Sequence, residues 1–110
     1  MLMPGTIKEG DTLNWYLAHQ KKEYGTVIKS ITCQDGFEVS IQASGGHYCL
    51  PKSDEGPWSH VEIGYPSDLC EELIPYSTGD GIYARVPIEI AERLVIKHGG
   101  VKDNSTKELK

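Results

Sequence analysis

Four sets of side chains in this chain have types and spacings that could do chemistry. The first is Cys33, His47, Cys49 and His60, two thiols and two imidazoles that Zn²⁺ would accept in a tetrahedron. Their separations are 14, 2 and 11 residues, without the short paired spacing that forms a metal knuckle. No metal ligand is therefore assigned, and a small zinc-binding domain stands only as an alternative. The second is a nucleophile, Cys49 or Cys70, with His47, His60 or His98 as base. A reactive thiol needs an electropositive setting, whereas Asp68, Glu71 and Glu72 surround Cys70 and would raise its pKa. No catalytic residue and no enzyme activity are expected.

The third set could hold a small anionic ligand. Ser44-Gly45-Gly46-His47 could form a nest of backbone N–H groups, with Lys52 and Arg85 adding charge. Tyr48 and Trp58 would add stacking surface, and His60 completes an aromatic, His-bearing stretch. A nucleotide second messenger is the ligand this chemistry suits. The fourth set is acidic. Between Asp54 and Arg93 nine carboxylates face two arginines, a local charge of −7. Asp68, Glu71, Glu72 and Glu62 are the members expected to meet a basic protein surface, such as one built for nucleic acid.

The 110 residues suit one domain, 1–110, with 38% apolar and 25% charged residues. Sixteen acids against eleven bases give −5, which argues against direct binding to nucleic acid or anionic lipid. No apolar run approaches the roughly 18 residues of a membrane span, and residues 1–10 lack the parts of a signal peptide. Three unevenly spaced cysteines suit a reducing compartment, so a cytoplasmic protein without disulfides or cofactors is expected.

The elements that must position these residues follow from periodicity. Residues 1–10 read as an arm. Asp11 or Thr12 caps a helix to about Lys22, with Leu13, Tyr16, Leu17 and Gln20 on one face and Gly25 as its stop. Phe37, Val39, Ile41 and Ala43 alternate with polar residues, and a three-residue loop at 34–36 pairs them with Cys33, Ile31 and Val27. That register sends Cys33 to the core and puts Gly36 in a left-handed bulge position. A third short strand is expected at His47–Leu50, and a fourth from Trp58 with Val61, Ile63 and Tyr65 on its core face. Trp58, His60 and Glu62 then share the other face, covered by a ligand, a partner or the chain itself.

Ser67 caps a short helix, Asp68–Ile74, ended by Pro75. A strand over Ile82–Val86 leads to a helix opened by Pro87, with Ile88, Ala91, Leu94 and Val95 inward and Gly99-Gly100 as its stop. Residues 101–110 read as a frayed tail. The order implies an α+β fold: four or five mostly antiparallel strands with two or three helices on one face.

VSIQAS (Val39 to Ser44), HYCLPK (His47 to Lys52), VEIGYPS (Val61 to Ser67) and YARVPIEIAERLVIKHGG (Tyr83 to Gly100) together resemble small phage and prophage accessory proteins. Lys52 and Tyr65 depart from the Arg and Phe of that pattern, and Lys in place of Arg loses bidentate anion binding. The resemblance covers a little over half the chain and carries no catalytic residues. It implies an anti-defence role, as an anti-CRISPR protein or a nucleotide sponge. The expectation is a non-enzymatic inhibitor whose acidic face occupies a basic, nucleic-acid-binding surface of a host defence protein in the bacterial cytoplasm. A sponge for a nucleotide signal is the alternative, and self-association is left open.

Overall fold

The computed structural model describes residues 11–102 apart from Thr26; the expected arm at 1–10 and most of the expected tail, 103–110, lie outside these residues. Helix α1 (Asp11–Tyr24) precedes strands β1 (Ile31–Thr32), β2 (Glu38–Gln42) and β3 (His60–Gly64). A 3₁₀ helix (Glu71–Tyr76), strand β4 (Ile82–Pro87) and helix α2 (Ile88–Lys97) follow. The four strands lie in sequence order, and every neighbouring pair is antiparallel. The fold is α+β. No helix among the described residues is long and apolar enough to cross a membrane.

The helices form where the apolar spacing puts one face inward. Leu13, Tyr16, Leu17 and Gln20 of α1 are all buried, as are Ile88, Ala91, Leu94 and Val95 of α2. Glu92 is buried with them, and its Oε2 accepts the N–H of Leu13 (2.8 Å), tying α2 to the start of α1. A carboxylate there also complements the positive end of the α1 dipole. Gly99 and Gly100 take positive φ (+93° and +83°) and close α2 by donating to Ile96 and Val95 carbonyls.

The hairpin has the expected register, Ile31 opposite Val39, with Cys33 buried and Gly36 at φ +94°. It does not extend back to Val27, which is exposed. Instead the Gln42 amide satisfies both backbone groups of Ile28, accepting its N–H (3.1 Å) and donating to its carbonyl (2.7 Å). A side chain thus replaces the last rung of the ladder, and Ile28 is buried in place of Val27.

Four further expectations are corrected. His47–Leu50 is not a strand, because only Leu50 bridges to His60; the backbone groups of Tyr48 pair with the Glu62 side chain and the Arg85 N–H. Tyr65 leaves the core face because β3 ends at Gly64 and Tyr65 takes φ +52°, turning its ring to solvent. Ser67 caps no helix. Its hydroxyl accepts the Glu38 N–H (2.8 Å), and the helical turns start only at Glu71 and run through Pro75. Val101 is not frayed: it is buried, bridges Cys33, and is followed by a Lys102 N–H donated to the Thr32 carbonyl (2.7 Å).

Candidate functional site

The sequence-derived site residues separate into three places. Trp58 is in the core, only 2% exposed. Asn14 of α1 clamps its backbone, accepting the Trp58 N–H (2.6 Å) and donating to its carbonyl (3.0 Å). The indole N–H donates to the Ser53 carbonyl (3.0 Å), and a Cβ on Gly56 would lie 2.7 Å from the ring. Trp58 itself is therefore covered by the chain's own α1 and the loop before β3, so the indole offers no stacking platform.

The loop at Ser44–His47 has no free amide row for an anion. Gly45 donates to Asp54 (2.8 Å), Gly46 to the Ser44 hydroxyl (3.0 Å) and His47 to the Ser44 carbonyl (3.2 Å). Both imidazoles are held locally, His47 Nδ1 by the Ser44 hydroxyl (2.6 Å) and His60 Nδ1 by the Ser59 hydroxyl (2.7 Å). An open groove of about 550 Å³ runs past Lys21, Lys22, Asp54 and Trp58, and another of about 430 Å³ past Glu72, Ile90, Arg93 and Ile96. Neither is lined by His47, Tyr48 or His60.

The thiols are placed apart. Cys33 points at the Val95 carbonyl (3.9 Å) and is pushed up to about 11, first by burial and then by Asp35. Cys49 donates to the Ser44 and Pro51 carbonyls (3.1 and 3.3 Å). Cys70 donates to the Asp68 carbonyl (3.4 Å), and its pKa is raised by burial, then by Glu72, against a smaller lowering by Lys97. Among the described residues no three His, Cys, Asp or Glu side chains gather as metal ligands.

What does come together is a different pairing. Lys52 and Arg85 both approach the Tyr48 ring, with Lys52 Nζ 5.6 Å and Arg85 Cζ 5.9 Å from its centre. Glu62 adjoins this ring, its Oε1 accepting the Tyr48 N–H (2.9 Å).

The acidic residues after β3 sit on a braced loop. Ser67 donates its N–H to the Glu38 carbonyl (2.8 Å) while its hydroxyl accepts from Glu38, so one residue is held at both groups. Tyr65 donates its N–H to the Gly81 carbonyl (2.9 Å), and a Cβ on Gly81 would come within 2.9 Å of the Tyr65 ring, which therefore packs closely on that glycine. From below, buried Cys70 and Leu73 anchor the segment. Between these fixed points Tyr65 and Leu69 stand 69% and 79% exposed, the most exposed large apolar side chains among the described residues. Asp68 and Glu71 are exposed beside Leu69, and the Ser67 bonds bring exposed Glu38 next to them. Glu72 is instead paired with Lys97 (3.3 Å). Its carboxyl is held below the ordinary range by its own backbone N–H and then by Lys97.

Sequence reasoning missed Tyr65, Leu69 and Glu38. The pattern Gly64-Tyr65-Pro66 held a signal, because an aromatic residue caught between glycine and proline is poorly placed to continue a strand. No protein-family model, curated protein or solved structure matches the chain.

Proposed function

We propose that this is a non-enzymatic binding protein that docks the loop from Tyr65 to Glu71 on a basic protein surface with apolar recesses. In keeping with the phage-like motifs, the partner we assign is a bacterial defence effector whose nucleic-acid groove the loop occupies. One observation carries the reading. Two large apolar side chains, Tyr65 and Leu69, are held out to water on a loop braced at Ser67, Tyr65 and Cys70. Leaving such surface wet forgoes burial, and rigid aromatic and aliphatic anchors ringed by charge are what an interface centre requires. Asp68, Glu71 and Glu38 supply the negative rim that steers toward a basic groove. Glu72, engaged with Lys97, plays a smaller part, and Glu62 plays none.

The test is displacement of duplex DNA from a panel of purified defence nucleases, with wild type, Leu69→Asp and the double variant Asp68→Lys, Glu71→Lys. Wild type should displace DNA from its target, Leu69→Asp should weaken this at least about tenfold, and the double reversal should abolish it. Displacement that survives both changes, or a wild-type chain that displaces DNA from none of them, refutes the reading.

A further inference from the structure

Arg85 and Tyr65 are the two non-glycine residues among those described with positive φ, Arg85 at +49°. Holding a side chain there strains the backbone in a way glycine would not. The position lies where β3 and β4 shift register: Val61 faces Val86 and Ile63 faces Tyr83, so Glu62 alone opposes both Ala84 and Arg85. Such a bulge re-aims a side chain. The Arg85 N–H leaves the sheet and donates to the Tyr48 carbonyl (2.9 Å), while Glu62 accepts the Tyr48 N–H. Tyr48 is thereby fixed on the bulge at both backbone groups with its ring half-exposed.

Two cations approach that ring. Lys52 at 5.6 Å and Arg85 at 5.9 Å both stand near the outer limit, about 6 Å, at which a ring attracts a cation. Among the described residues neither takes part in an ion pair. The nearby carboxylate, Glu62, is turned to an amide. In a chain of net charge −5, two exposed cations are thus both brought to one ring, one of them on a strained residue. Guanidinium and ammonium together match a compact dianion, the former through paired N–H donors and the latter as a point charge.

We propose that Tyr48, Lys52 and Arg85 form a binding site for a phosphate group. It shares no residue with the docking loop and stands independently of it. The group comes either from free phosphate or from a nucleotide whose base lies on the exposed part of the Tyr48 ring.

The experiment is a titration of ¹⁵N-labelled protein with inorganic phosphate and, separately, with adenosine monophosphate, at constant ionic strength. Saturable shifts centred on Tyr48, Lys52 and Arg85 are expected. Equal affinity for both probes supports free phosphate as the source, and at least about tenfold tighter binding of the nucleotide supports stacking on Tyr48. Arg85→Gly should abolish saturation while its melting temperature stays level or rises, because glycine suits the φ of +49°. Lys52→Ala should weaken binding at least about tenfold and provides a second, independent readout. Linear shifts spread over the surface, or wild-type saturation in both variants, overturn the proposal. So does a melting temperature lowered by Arg85→Gly with phosphate binding intact, which would make Arg85 a packing residue.

Discussion

The two connections that flank β3 treat their apolar residues in opposite ways. The one before it, residues 43–59, folds back on itself: its amides pair with Ser44 and Asp54, and Trp58 is driven into the core beneath α1. The one after it, residues 65–70, is braced just as firmly but holds Tyr65 and Leu69 in water. Alternation in the sequence from Trp58 to Tyr65 suggests a different arrangement, with Tyr65 on the core face and Trp58 on the opposite one. What decides is where the neighbouring backbone groups find partners. Asn14 captures Trp58 by its N–H and carbonyl, whereas the positive φ of Tyr65 turns that residue out of the strand.

The sharpest way to break this contrast is a pair of truncations. Trp58→Ala should cost about 3–5 kcal/mol in urea unfolding, the range for a buried aromatic, while Tyr65→Ala and Leu69→Ala should stay within about 0.5 kcal/mol. Equal losses at both connections would erase the distinction. Asn14→Ala should be next, at about 1–3 kcal/mol, because it leaves the N–H and carbonyl of Trp58 without their partner. If that variant unfolds at the wild-type urea midpoint, the clamp does not place Trp58.

A site remote from both connections provides a scale for backbone strain. Gly99→Ala meets φ +93° and places a Cβ 2.9 Å from that of Gln34, so a loss of about 1–2 kcal/mol is expected. Its Tm should fall well below that of Leu69→Ala, and a Tm above wild type would contradict the strain argument.

The smallest effect belongs to Asp35. Its carboxyl is held below the ordinary range, first by the Phe37 N–H and then by His98, whose Nδ1 is 2.6 Å away. A depressed carboxylate stabilises the fold above its unfolded pKa, and that contribution disappears as pH falls through the lower, folded value. Asp35→Asn should therefore be less stable than wild type near about pH 6, with the two converging at an acid pH below the lowered folded pKa of Asp35. An equal gap at both pH values would mean that the charge is not what matters.

Much of the fold was legible because it rests on local rules. The inward faces of α1 and α2, the glycine stops at Gly25 and Gly99, and the hairpin register all follow from spacing within a few residues. Less of the candidate sites was legible. Tyr48, Lys52 and Arg85 were named as binding residues, but Trp58, named with them, is buried in the core, and Glu62 is bonded to Tyr48. Of the loop after β3, Asp68 and Glu71 were read from charge, while Leu69 and Tyr65 were not.

The failures share one physical cause. His47–Leu50 has the composition of a strand, but a strand needs a neighbour whose backbone is free, and Tyr48 is met by a carboxylate and a bulged N–H from β3 and β4. Ser67 has the composition of a cap, yet Glu38, 29 residues away, takes its hydroxyl first. Periodicity and turn chemistry by themselves determined which residues face inward on each helix and where the hairpin turns. Long-range hydrogen bonds, formed only once β3 lies between β2 and β4, decided which aromatic is core and which cations approach Tyr48, because those bonds join atoms that no local spacing relates.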